Sequence, residues 1–211
     1  MTTTLYYAPG AASFLVHWLL IELDLPHELR LVDTAAKAQK SPEYLALNPN
    51  GVVPTLVLDD KPQYEAAALA MLLAERHPDA GLAPAAGDPR RADYLQWMFN
   101  LANMVQPLFR QWWYPGEPAG ETQADAVRAH CAPRIEAQWQ RIDAHLAAGG
   151  PFLLGDAPSV ADFYLVMLMR WSRNMPRPAT EWPQLAALAA RLKVRPSFTT
   201  LYAREGLTEW A

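Results

Sequence analysis

Leu47-Asn48-Pro49-Asn50-Gly51-Val52-Val53-Pro54-Thr55-Leu56-Val57-Leu58 decides how the rest of the chain is read. The stretch opens with turn formers and closes on a short apolar run that predicts a strand. Pro54 lies where the two meet. Having no N–H, it belongs at a strand's entry or on an edge. An ordinary trans proline would serve there. A cis Val53–Pro54 peptide would instead turn the N–H and C=O of Val53 outward, where an extended peptide could pair with them as an added strand.

Upstream, Thr3 to Tyr7 is β-branched and aromatic and predicts a first strand, broken by Ala8-Pro9-Gly10. Ala11 to Leu23 reads as an apolar helix with Trp18, Leu19 and Leu23 in the core, ended by Pro26. His27 to Val32 alternates as a second strand. Ser41-Pro42-Glu43-Tyr44-Leu45 gives a cap, a first-turn proline and a short helix. Downstream of the opening stretch, Asp59-Asp60-Lys61-Pro62 predicts a turn and Gln63-Tyr64 a short fourth strand. Glu65 to Arg76 predicts a helix with Leu69, Leu72 and Leu73 at helical spacing, its acidic Glu65 at the positive end of the macrodipole. Strand, helix, strand, helix, strand, strand, helix within residues 1–77 is an α/β layer.

His77 to Pro89 holds three prolines and two glycines and reads as a linker, placed at residues 78–88. Residues 89–211 then predict helices alone. Leu95, Met98, Ala102, Val105 and Phe109 make one core stripe. Val127, Cys131, Ile135, Trp139, Ile142 and Leu146 make another, with Cys131 as core filler. Ser159 and Asp162 have capping-box spacing ahead of Phe163 to Trp171, an all-apolar helix expected at that domain's centre. Two further helices are expected near Pro183–Lys193 and Pro196–Arg204.

The 211 residues carry a net charge of −4 with no long basic run, which argues against nucleic acid as the main partner. One cysteine rules out an intrachain disulfide, a CxxC pair and a cysteine-rich zinc site. No signal segment and no run long enough to span a bilayer appear, so a cytoplasmic chain without a membrane partner is expected.

Three motifs carry a resemblance. Tyr6-Tyr7-Ala8-Pro9-Gly10-Ala11-Ala12-Ser13 resembles the first strand and active-site turn of the cytosolic glutathione transferases, closest to the bacterial beta class. Asn48 to Pro54 resembles their segment ahead of a cis-proline. Ser159 to Asp162 resembles the capping motif of their central helix. The resemblance implies an N-terminal thioredoxin-like domain, a C-terminal helical-bundle domain, a homodimer, and glutathione as co-substrate without a metal. It implies that Val53 bonds the cysteinyl backbone of glutathione. Glu65 and the backbone of Ala66 would take its γ-glutamyl end, and Lys37 its glycyl carboxylate. Pro54, Ser159 and Asp162 would be structural.

The chain departs from the family pattern at the chemistry. Ala12 occupies the beta-class cysteine position, Ala11 the position near which theta- and delta-like members carry serine, and Ala66 the usual serine after the glutamate. Gln106 stands where beta-class members have a histidine. Tyr7 and Ser13 remain as candidate catalytic hydroxyls, with Ser13 alternatively capping its helix. Either could favour a thiolate over a thiol of pKa about 8.5. Ala12, Asn103, Gln106, Trp113 and Tyr114 are candidates for lining an electrophile pocket in a cleft between the domains; a solvent face, a dimer interface or core packing would place the helical residues equally well. The expected activity is attack of glutathione thiolate on small hydrophobic electrophiles. A ligand carrier of the same fold with little turnover is the alternative, favoured by Ala11, Ala12 and Ala66, and another glutathione-using reaction such as isomerisation is a third.

Overall fold

The Val53–Pro54 peptide is cis in the computed structural model, which describes residues 3–210. The chain divides into two units. One holds residues 3–83 together with Val194–Glu209, the other Pro84–Lys193 with Trp210.

The first unit runs β1 (Thr3–Tyr7), α1 (Ser13–Glu22), β2 (His27–Leu31), α2 (Pro42–Leu45), β3 (Thr55–Leu58), β4 (Lys61–Tyr64) and α3 (Ala66–Arg76). The sheet order is β2-β1-β3-β4, with β1 parallel to β2 and antiparallel to β3, and β3 antiparallel to β4. This is the expected thioredoxin-like layer. Asp59 and Asp60 form the turn between β3 and β4, both at positive φ (53° and 61°). Lys61 and Pro62 lie in the strand rather than in the expected turn, and Pro62 fits there because β4 is an edge strand. Leu5 and Leu56 of the sheet are fully buried, as are Phe14, Leu15 and Leu19 of α1, and Leu69 and Leu73 of α3 are nearly so.

The second unit is helical. It holds α4 (Arg91–Asn100), α5 (Gln106–Trp113), α6 (Gly116–Ala119), α7 (Ala124–Gly149), α8 (Val160–Trp171) and α9 (Pro183–Lys193). A wider π turn over Leu101–Val105 joins α4 to α5. Pro107 accounts for it: without an N–H it makes no bond to the fourth residue back, and its ring crowds that carbonyl. The buried stripe of α4 and α5 runs Tyr94, Met98, Leu101, Val105 and Phe109, whereas Leu95 and Ala102, expected in it, are half-buried. On α7, Cys131, Ile135, Trp139, Ile142 and Leu146 are buried as the spacing predicts, whereas Val127, expected with them, is half-buried. Asp143 on the same helix reaches across to the start of α9, its Oδ1 accepting from Gln184 N–H (2.7 Å) and Leu185 N–H (3.1 Å). That carboxylate satisfies two amides a helix start leaves open. Every residue of α8 from Val160 to Arg170 is buried.

The last helix, α10 (Pro196–Glu205), returns to the first unit. The division therefore differs from the expected 89–211 helical domain at its carboxyl end. Phe198 and Tyr202 explain the return, since both rings pack against Phe14 of α1, at 6.4 and 6.0 Å between centroids. Trp18 Nε1 also donates to Ser197 Oγ (2.9 Å), and Arg195 pairs with Glu22.

Candidate active site

Strand register gathers distant pieces of the first unit at one end of the sheet. Tyr6 pairs with Thr55, so Tyr7 stands beside Pro54; Thr55 pairs with Tyr64, so Glu65 flanks Pro54 on the other side.

The loop before Pro54 is held from beneath. Asn48 is fully buried; its Nδ2 donates to Val52 O (2.9 Å), and its Oδ1 accepts from Asn50 N–H (3.1 Å). Tyr44 OH donates to Val52 O (2.8 Å) and lies 2.9 Å from Thr55 Oγ1. Burial raises the Tyr44 pKa, so the phenol stays a donor, although its hydrogen bonds with Thr55 and Asn48 pull the other way. Gly51 sits at φ +59°, where a Cβ would lie 2.8 Å from Lys40 Nζ and 2.9 Å from Gln39 O. Gly51→Ala should therefore lower stability by about 1–3 kcal/mol, through left-handed strain and backbone crowding together. An unchanged urea midpoint would show that the loop tolerates the methyl group.

Val53, next along, has no partner for its backbone N–H or C=O among the described residues. Glu65 takes φ 74° and ψ 103°, a conformation worth about 1–3 kcal/mol of strain in a non-glycine residue. Its side chain is exposed and makes no hydrogen bond or ion pair among the described residues. It precedes the amino end of α3, where no side chain caps the first amides and Ala66 is buried. A carboxylate beside open helix amides suits a zwitterion: the amides take its carboxylate and Glu65 its ammonium.

Across the sheet end, Tyr7 is half-buried, with its ring 5.8 Å from that of His17 and its hydroxyl without a partner among the described residues. Ser13 departs from expectation. It is fully buried, and its Oγ donates to Ala8 O (3.1 Å) while accepting from Ala8 N–H (3.2 Å). Its one proton is given to the turn, which leaves none for a sulfur. It does not cap α1 either, because Ala12 holds that position and no side chain caps the helix. Ala12 is half-buried, and its N–H and that of Ser13 stay open among the described residues. Lys37 is exposed, at φ 58°. Lys40, by contrast, touches the loop, its Nζ donating to Asn50 O (3.3 Å).

On the helical unit the expected pocket residues do not share one environment. Asn103 is exposed, while Gln106 Oε1 accepts from Tyr164 OH and so faces the buried α8. Trp113 and Tyr114 are 39% and 52% exposed, which answers the core-packing alternative. The guanidiniums of Arg173 and Arg110 lie over their rings, at 5.6 and 4.2 Å. Among the described residues no group of three or more His, Cys, Asp or Glu side chains could hold a metal ion, and no helix is long and apolar enough to cross a membrane. His17 and Glu205, buried beneath the turn, were not singled out from the sequence. They are 188 residues apart, and only a histidine within an apolar helix hinted at them.

A model of the glutathione S-transferase N-terminal domain matches residues 12–76, and one of the C-terminal domain matches residues 125–191. A glutathione S-transferase of Xanthomonas campestris pv. campestris is 36% identical over 174 residues, 81% of this chain and 82% of its own. A maleylacetoacetate isomerase of Rhizobium meliloti is 30% identical over 195 residues, 90% of each chain. A glutathione transferase homolog from Sulfitobacter, solved with bound glutathione, has a TM-score of 0.89 at 28% identity, covering 98% of this chain and 99% of its own. One model falls on each structural unit and the likeness runs through nearly the whole chain, so this protein belongs to the glutathione S-transferase family and is an enzyme of that kind.

Proposed function

We propose that the chain binds glutathione at the Pro54 end of its sheet and delivers the thiolate to small hydrophobic electrophiles. The open backbone of Val53 carries this reading, since it offers one donor and one acceptor to an extended peptide beside an unpaired Glu65. The γ-glutamyl end would lie on Glu65 and the Ala66 amide. For the glycyl carboxylate, Lys40 is better supported than Lys37, because it already contacts the loop. Tyr7 would hold the thiolate, with the Ala12 and Ser13 amides beside it; Ser13's hydroxyl would serve the turn. With a chlorinated nitroaromatic, sulfur adds to the ring carbon bearing chlorine, chloride leaves, and the thiol proton goes to solvent.

Calorimetry tests the binding half. Glutathione should bind, and Glu65→Ala should weaken it about 10- to 100-fold through loss of a charge-assisted hydrogen bond. No heat at millimolar glutathione would remove the reading.

Isomerisation is a second reading, favoured by the similarity to a maleylacetoacetate isomerase. The thiolate would add to a cis double bond, the adduct would rotate, and the thiolate would leave again. The relatives named as enzymes give the ligand-carrier alternative no support. We further propose a beta-class-like homodimer, supported by Phe99 and Met104, which are 58% and 49% exposed on the helical unit. A cytoplasmic setting is supported by the single cysteine, which leaves no intrachain disulfide.

A further inference from the structure

Glu205 ends α10, at the pole of a helix that disfavours negative charge, and its side chain is 0% exposed. A buried carboxylate in that place is costly, and an apolar side chain of similar size would fill the space without that cost. The carboxylate instead reaches two groups far away in sequence. Its Oε2 accepts from Gly10 N–H at 2.7 Å, and its Oε1 lies 2.8 Å from His17 Nδ1. His17 is itself fully buried, its ring packs 5.8 Å from that of Tyr7, and its Nε2 has no partner.

The bond to Gly10 completes the turn between β1 and α1. Gly10 takes φ +66°. Ala8 N–H is bonded to Ser13 Oγ, Ala11 N–H to Ala8 O, and Phe14 N–H to Ala11 O. With Gly10 N–H on Glu205, the amides of Ala12 and Ser13 alone stay open between Ala8 and Phe14, among the described residues.

We propose that Glu205, steadied by His17, is a positioning residue for the thiolate site, pinning the turn so that the Ala12 and Ser13 amides and the Tyr7 hydroxyl meet the sulfur together. This inference rests on the glutathione reading above. Glu205 need not touch the substrate; it acts through Gly10.

Four proteins test it: wild type, Glu205→Gln, Glu205→Asp and Glu205→Leu, each checked for folding by circular dichroism. Glutamine keeps an acceptor for Gly10 N–H and a donor for His17 Nδ1. Aspartate keeps the charge but is one methylene short of spanning both. In the aspartate and leucine variants kcat toward a chlorinated nitroaromatic should fall about tenfold or more, since small displacements of a catalytic group are that costly. KM for glutathione should stay within about threefold, because the Val53 and Glu65 contacts are untouched. The bound thiol, followed by the ultraviolet absorbance of its anion, should titrate at higher pH than in wild type. The glutamine variant should hold kcat within about twofold, a rescue expected if geometry rather than charge is what Glu205 supplies.

Folded aspartate and leucine variants with wild-type kcat and thiol titration would overturn the proposal and leave the activity standing. Should the leucine variant not fold, the contrast between aspartate and glutamine decides alone. A wild type that neither binds nor turns over glutathione would fell the functional reading first, and this inference with it.

Discussion

Asp162→Ala should lower the unfolding free energy by about 3–4 kcal/mol at neutral pH, seen as an earlier urea midpoint. Asp162 is fully buried at the start of α8. Its Oδ1 accepts from Leu153 N–H (2.8 Å), and its Oδ2 accepts from Ser159 N–H (2.8 Å) and Ser159 Oγ (3.0 Å). Alanine would strand these donors where little else can reach them, under the most buried helix of the second unit. Loss of one buried acceptor for several donors exceeds the cost of an ordinary cap deletion, about 1 kcal/mol. A midpoint within error of wild type would show that water replaces the carboxylate.

The same group should set a pH dependence. Burial pushes the Asp162 carboxyl up from 3.8 to about 6, against the opposing pull of the donors around it. The folded chain then holds this proton more tightly than the unfolded chain does. The stability it brings is complete below the unfolded value near 3.8 and is lost as pH rises through about 6. The free-energy gap between wild type and Asp162→Asn should therefore shrink from about pH 4 to about pH 7, because asparagine does not titrate. A gap that widens over this range would mean that the donors outweigh burial.

Tyr7→Phe should cut kcat/KM toward a chlorinated nitroaromatic by about 10- to 100-fold, the equivalent of losing one hydrogen bond to an anion. The loss should sit in kcat, since in the proposed complex the hydroxyl would meet the sulfur and not the rest of glutathione. Without it the bound thiol keeps its proton to higher pH, so the variant's rate should climb with pH after wild type has levelled off. Full activity in this variant would pass the role to the Ala12 and Ser13 amides. Ser13→Ala should act differently: with its hydroxyl tied to Ala8, removing it loosens the turn and costs stability along with rate.

The architecture was legible because local signals agreed with one another. Turn formers ahead of Thr55, a proline at the strand entry and the cap at Ser41 each predicted what formed. The course of α10 was not legible. A short link from α9 suggests one bundle, but whether Phe198 and Tyr202 turn toward Phe14 depends on an aromatic face that no spacing reveals. Site residues divided the same way. Val53 lies within a motif and Glu65 opens a helix the spacing predicts, whereas the Glu205–Gly10 bond spans 195 positions and Asp143 reaches 41 positions to Gln184. The tie between Ser13 and Ala8 is local, yet a serine after a turn fits capping, catalysis and turn closure alike. Only the placement of its proton separates them.

The π turn at Leu101–Val105 makes chain length itself a determinant of where the aromatic end of α5 points. A residue removed there would tighten the wide loop toward an ordinary helical one, and everything downstream would rotate by about 100° around the axis. Tyr94 and Met98 would keep their seats while Arg110, Trp113 and Tyr114 swung to a new bearing. Gaining or losing a single codon at this hinge could thus re-aim the aromatic end of the helix without altering any side chain upstream.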